Sequence, residues 1–226
     1  MKSDTKLEEL LATRRTVFLD FDGPVCAVFT TICSRDAADS LRALVQRPLP
    51  SIVNDSADPF DVLRYAAESL PTEVYQAIEK TFTELECSAV TGATPTPGAA
   101  SVIKALHAGH FMVGIVTNNS REAVTIYLDQ HGLGSHVYGI FGRPHSDASL
   151  LKPSPYLVRQ AMDGAGADPA DCMFVGDSVS DIEAARASQV AAVGFANRQG
   201  KAGRLRAAGA AVVITQMSEI LTATEA

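Results

Sequence analysis

The chain has 226 residues, 46% of them apolar and 20% charged, which suits one globular domain or one domain carrying a smaller insertion. Its formal net charge of −7 argues against a general nucleic-acid binder, which needs clustered Lys and Arg, but is compatible with a small phosphorylated ligand held by local cations and a metal. No apolar run reaches about eighteen residues, and the charged N-terminus, MKSDTKLEELLATRR, lacks a signal peptide's apolar core, so neither a membrane span nor export is expected.

Leu7, Leu10 and Leu11 have helical spacing, and Thr5 to Glu8 fits a capping box, so a short helix is expected there. Thr16-Val17-Phe18-Leu19 reads as a buried strand ending in Asp20-Phe21-Asp22-Gly23-Pro24, since Gly-Pro stops a strand. From residue 26 to about 93 the apolar residues recur at helical spacing, and Pro48, Pro50, Pro59 and Pro71 divide the stretch into short helices. Thr94 to Gly98 is expected to be an irregular connector. Beyond it, strands around 111–116, 138–141, 172–175, 190–195 and 211–214 alternate with helices near 99–108, 120–130, 155–162 and 181–187. Nearly all-apolar strands between helices indicate an α/β fold, a parallel sheet with helices on both faces. The core is expected to comprise residues 1–25 and 94–226, with 26–93 inserted between its first and second strands. The four cysteines, Cys26, Cys33, Cys87 and Cys172, lack Cys-x-x-Cys spacing, so zinc and disulfides are disfavoured and a reducing cytoplasm is the expected location.

Active sites of such sheets lie beyond the carboxyl ends of the strands. Asp20 and Asp22 end the first strand, Thr117 and Asn118 the second, and Asp177 the strand through Val175, with Asp181 just after it; Lys152 follows the third strand. Each piece alone has an ordinary reading. Asp-x-Asp can be a turn, Thr117 to Ser120 a helix cap, Ser180 to Glu183 a capping box, and Lys152 a solvated loop residue. Together they place several carboxylates, a hydroxyl and an ammonium in one cleft. Clustered carboxylates repel one another, a hard cation such as Mg2+ relieves that repulsion, and one carboxylate is left as a nucleophile with a second as its proton carrier.

These residues resemble the haloacid dehalogenase superfamily of phosphohydrolases. The match lies in Phe18-Leu19-Asp20-Phe21-Asp22-Gly23, Ile115-Val116-Thr117-Asn118-Asn119, Lys152-Pro153-Ser154-Pro155 and Val175-Gly176-Asp177-Ser178-Val179-Ser180-Asp181. The resemblance runs from about residue 16 to 195 and implies a Rossmann-like core. The inserted helices look like the cap of the phosphoglycolate phosphatase-like and β-phosphoglucomutase-like branch. It implies a magnesium-dependent phosphatase acting on a small phosphorylated metabolite through an aspartyl-phosphate. Asp20 would be the nucleophile and Asp22 the acid and base. Thr117 and Lys152 would complete the catalytic set, and Gly23, Thr117, Asn118 and Lys152 would hold substrate. The metal would take Asp20, Asp177 and the backbone carbonyl of Asp22, with Asp181 in or just beyond its shell.

Pro24 departs from the family pattern, where Thr or Val is common, and removes a backbone donor. A phosphomutase is the nearest rival and would need cap cations to hold a bisphosphate. Arg35, Arg42, Arg47 and Arg64 are available, though each also reads as a helix-surface charge. The rival of another class is an idle binding module that kept the fold. Arg143 reads as a substrate contact or as a surface or cap-interface charge, and His145 as an exposed loop residue.

Overall fold

A computed structural model describes residues 2–224, with side chains described from residue 5 onward. Helix α1 (Lys2–Thr13) precedes strand β1 (Thr16–Leu19). A short strand, β2 (Cys26–Ala27), leads to four helices: α2 (Ser34–Arg42), α3 (Ser51–Asn54), α4 (Pro59–Ser69) and α5 (Thr72–Val90). Then follow β3 (Thr94–Pro95), α6 (Ala99–Ala108), β4 (Met112–Val116), α7 (Arg121–Gln130), β5 (Gly139–Phe141) and α8 (Tyr156–Ala165). The chain continues through β6 (Cys172–Gly176), α9 (Val179–Ala187), β7 (Ala191–Phe195), α10 (Lys201–Ala208), β8 (Val212–Ile214) and α11 (Glu219–Thr224).

Six strands form one parallel sheet in the order β5-β4-β1-β6-β7-β8. The expected α/β class is the observed one. Alternate residues of β1 feed opposite faces: Val17 and Leu19 pack with Leu10, Ile103 and Tyr127, whereas Phe18 packs with Leu157, Ile182 and Leu205. Both faces are covered, which is why the strand reads as an unbroken apolar run. The chain builds outward from β1 to β5 on one side and then from β6 to β8 on the other. A crevice is expected where the order reverses, beside the carboxyl end of β1. In register, Leu19 lies opposite both Ile115 and Val175, so the loops after β1, β4 and β6 emerge at one level.

The four inserted helices have their own core, built from Leu41, Val62, Leu63, Ile78 and Phe82. Ala148 and Leu151 of the sheet unit close its base. The prolines act as expected: Pro50 and Pro71 precede α3 and α5, and Pro59 opens α4, where a missing N–H costs nothing. Connector 94–98 differs from expectation. Thr94 and Pro95 pair antiparallel with Ala27 and Cys26, and the Thr96 N–H donates to the Val25 carbonyl at 3.0 Å. A two-residue ladder has no periodicity to read, and only the meeting of the two crossings creates it.

The N-terminal helix starts at Lys2, so Thr5 lies inside it and does not cap it; the buried face of Leu7, Leu10 and Leu11 anchors the helix instead. Periodicity did not signal α10 or α11, because each buries a single residue, Leu205 and Ile220 respectively.

Candidate active site

Asp20 continues β1 by one bond, its N–H donating to the Val175 carbonyl at 2.9 Å. Its carboxylate faces the ammonium of Lys152 (Nζ to Oδ1, 2.8 Å), which also meets Asp181 Oδ1 at 2.6 Å and donates to the Val116 carbonyl at 3.2 Å. Lys152 is 2% exposed and Asp181 1%. The solvated-loop reading of Lys152 is thus overturned, because three acceptors take its charge inside the protein. The capping box expected from Ser180 to Glu183 runs instead from Ser178 to Asp181, so Asp181 also caps the helix. Ser178 is the N-cap of α9, its N–H and hydroxyl donating to Asp181 Oδ2 at 2.9 and 2.7 Å, so the two carboxylate oxygens divide the tasks.

Asp177 ends β6. Asn197 Nδ2 donates to its Oδ2 at 3.1 Å, and the Lys201 ammonium binds the same oxygen. Asp20, Asp177 and Asp181 each offer a carboxylate oxygen, all within 4.8 Å of one another. Burial, followed by the Asp181 carboxylate, pushes the Asp20 carboxyl up to about 8. Lys152 opposes this but is shared between two acids, and it stays charged because Asp181 and Asp20 outweigh its own burial. Asp177 is also raised, first by burial, with Lys201 pulling the other way. A hard, all-oxygen cluster short of positive charge fits Mg2+. Asp20, Asp177 and Asp181 would hold the ion, whereas Asp22, expected among the metal residues, has its carboxyl outside the cluster.

This geometry sets a pH dependence. The metal-free fold keeps the Asp20 proton up to about 8, while an unfolded carboxyl loses it near 3.8. Between those values the folded state binds more protons, so stability falls as pH rises. The melting temperature of EDTA-treated protein is therefore expected to drop from about pH 5 to about pH 8, and saturating Mg2+ is expected to flatten the slope. Parallel slopes with and without Mg2+ would contradict the carboxylate-cluster reading.

Asp22 projects into the cleft and accepts the Val28 N–H at 3.0 Å. Its carboxyl is reached by solvent, yet the cleft walls deprive it of most hydration; this raises it to about 6, against the Val28 bond and with help from Asp177. Gly23, expected to contact substrate, has a structural task at this turn. Its N–H donates to the Cys26 carbonyl at 2.7 Å, and a Cβ on it would lie 2.4 Å from the Asp177 carboxyl carbon. With φ of +111° as well, the position admits only glycine if Asp177 is to approach. The missing donor of Pro24 is not felt, because Gly23, Val25 and Cys26 supply the N–H groups that close the turn.

The Thr117 hydroxyl donates to Asn119 Oδ1 at 3.0 Å. Asn118 clasps the Lys152 backbone both ways, accepting its N–H at 2.8 Å and donating to its carbonyl at 3.3 Å. Both side chains line the cleft, a cavity of about 170 Å³. Ser120 caps α7. From the inserted helices the cleft is lined by Asp58, Phe60 and Arg64, and Arg64 Nη2 donates to the Lys152 carbonyl at 3.3 Å. The other three arginines of that unit lie outside it. Arg47 binds Tyr65 and the Ser69 carbonyl, and Arg42 binds Asp39 and the carbonyls of Val53 and Ser56.

Arg143 does not reach the cleft. It is 2% exposed and pairs with Glu79 and Glu86 of α5. His145 bridges Glu79 (2.8 Å) and Glu122 (3.2 Å), which raises its pKa despite partial burial. Cys33 is exposed and caps α2, its sulfur accepting the Asp36 N–H. Lys201, Asn197, Glu79 and Glu86 were missed by sequence reasoning, and nothing in their local sequence marks them.

A family model described as haloacid dehalogenase-like hydrolase matches residues 14–189. A phosphoglycolate phosphatase of Vibrio vulnificus is 27% identical over 67% of this chain, and the match spans 61% of that relative's length. One from Xylella fastidiosa is 28% identical over 77% of this chain and 76% of its own. Among solved structures, a predicted phosphoglycolate phosphatase from Haemophilus somnus superposes with a TM-score of 0.70 at 18% identity, covering 94% of this chain and 98% of that one. CbbY of Rhodobacter sphaeroides, in complex with phosphate, gives 0.70 at 15% identity, covering 94% and 100%. At such identities the structures show the shared fold.

Proposed function

The chain belongs to the haloacid dehalogenase-like hydrolase family, and on that premise we propose that it is a magnesium-dependent phosphatase of a small phosphorylated metabolite, working through an aspartyl-phosphate on Asp20. The observation that carries the reading is the meeting of Asp20, Lys152, Asp181 and Asp177 at the strand ends, with Asp22 beside them in the same cleft. Residues 26–93 are the cap, and the cytoplasm is the proposed location; all four cysteines are free.

A bound Mg2+ supplies the positive charge that keeps Asp20 ionised and offsets the charge of the substrate's phosphate oxygens. An Asp20 carboxylate oxygen bonds to phosphorus as the ester P–O bond breaks. Asp22, whose carboxyl burial raises to about 6 so that a minor protonated fraction persists near neutral pH, gives its proton to the leaving oxygen. Asp22 then takes a proton from water as that water attacks phosphorus, and the P–O bond to Asp20 breaks to release phosphate and restore the carboxylate. Lys152 stabilises the phosphoryl oxygens, and the Thr117 hydroxyl joins it by rotating its one proton from Asn119 to them. The cap wall of Asp58, Phe60 and Arg64 excludes water and chooses the leaving group.

The single cap arginine at the cleft favours hydrolysis over the mutase reading, because a bisphosphate brings a second phosphoryl group that needs cations of its own. The small cleft and the phosphatase relatives favour a compact ester, so phosphoglycolate heads the panel to be tried. Phosphate release is expected with Mg2+ and is expected to vanish in EDTA. Asp22→Asn is expected to slow phosphate release from alkyl phosphates by about 10²- to 10⁴-fold, while the first-turnover burst of p-nitrophenol from p-nitrophenyl phosphate is slowed much less, since that leaving group needs no proton and only the later attack of water needs Asp22. Silence of the Mg2+-loaded wild type across the panel would leave the idle binding module standing.

A further inference from the structure

Outside the acidic cleft, the strongest concentration of buried charge lies between α5 and the loop after β4. Arg143 uses all five N–H groups of its guanidinium. Nε donates to Glu79 at 3.0 Å, Nη1 to Glu86 and to the Asn118 carbonyl at 3.0 Å each, and Nη2 to Glu86 at 2.8 Å and Thr83 at 3.1 Å. Glu86 is wholly buried and takes two more donors from the loop itself: Asn119 Nδ2 at 2.8 Å and the Ser120 N–H at 3.0 Å. Asn119 in turn accepts the Thr117 hydroxyl, and Asn118 clasps Lys152. One residue therefore separates α5 from Thr117 and from Asn118, and a second, Asn118, lies between Arg143 and Lys152.

Stability alone explains such a network poorly. Burying charges costs several kcal/mol each, and well-packed apolar residues in their place often serve as well or better. Ions do what apolar groups cannot: they fix the direction of amides, carbonyls and N–H groups. Here the groups so fixed are the Asn118 carbonyl, the Asn119 side chain and the Ser120 N–H.

We propose that Glu86 and Arg143 are positioning residues for phosphoryl binding: seating α5 on the core aligns Thr117 and Asn118, so that the cap and the phosphoryl-binding loop are set as one unit. This rests on the phosphatase reading above. By linkage, a phosphate held by the loop favours the seated helix as strongly as the seated helix favours the phosphate.

The test compares two carboxylates on the same arginine. Inorganic phosphate is titrated calorimetrically into Mg2+-loaded wild type, Glu86→Gln and Glu79→Gln, and the melting temperature of each is measured. Glu79→Gln removes a partner of Arg143 that does not touch the loop, so it is expected to lower the melting temperature and leave phosphate affinity within twofold. Glu86→Gln is expected to weaken phosphate at least tenfold and to lower kcat. Equal phosphate affinity in the two variants would overturn the proposal and leave the network as a stabiliser only. Should Glu86→Gln fail to fold, Arg143→Lys keeps the charge but loses the fork that reaches Asn118; a tenfold loss of phosphate affinity supports the proposal and a loss under twofold overturns it. A wild type that releases no phosphate from any ester would instead remove the phosphatase reading, and this proposal with it.

Discussion

Asp20→Asn is expected to lower Mg2+-supported phosphate release by about 10⁵-fold or more while raising the melting temperature of the metal-free protein. The first effect follows from removing the atom that bonds to phosphorus, a loss that the remaining groups cannot replace. The second follows from the same electrostatics. Burial and the Asp181 carboxylate oppose a charge on Asp20, and one ammonium serves both acids. A neutral amide of the same shape relieves that conflict and leaves Lys152 to Asp181, so function and stability move in opposite directions. The stabilisation that Mg2+ gives the wild type is expected to shrink in the variant, because a ligand carboxylate is gone. Single-turnover phosphate release and calorimetry with Mg2+ or EDTA measure both. A variant retaining a hundredth of the activity would exclude Asp20 as nucleophile, and a lower metal-free melting temperature would refute the electrostatic account.

Arg143→Met is expected to cost about 3–5 kcal/mol of stability, the penalty of leaving buried carboxylates without their cation. The side chains of Glu79 and Glu86 are 7% and 0% exposed, so water cannot take the place of the guanidinium. For a chain of this size the loss corresponds to a melting temperature lower by roughly 10 °C. Adding Glu86→Gln is expected to recover part of it, since the second change removes a stranded charge. Thermal unfolding of the three proteins gives the answer, and a single variant within about 2 °C of wild type would show that solvent reaches this network.

The acidic positions were legible because their chemistry and their place at strand ends coincide. Asp20, Asp177 and Lys152 follow segments whose apolar runs announce strands, and parallel strands deliver their carboxyl ends to one edge. Asp181 was legible in kind, while its cap partner was not: Ser178 and Ser180 both precede it, and only the backbone at Ser178 is extended as an N-cap requires. Glu79 and Glu86 look like solvent-facing charges of a helix. Their spacing puts them on one face of α5, but that face becomes buried only because Arg143 meets it from a loop far along the chain. Lys201 is silent for a related reason, since α10 has almost no apolar signature and its ammonium reaches Asp177 only through the chain's return after β7.

By itself, then, the sequence determined the layered α/β core, the inserted helices and the carboxylates, lysine and threonine that meet at the strand ends. Those depend on local periodicity and on residue chemistry, both of which are written along the chain. The tertiary structure alone decided which charges neutralise which, that Gly23 makes room for Asp177, and that Arg64 is the cap arginine facing the cleft. Burial and pairing are properties of surfaces brought together from distant segments, and a carboxylate's environment, not its identity, sets its charge and its work.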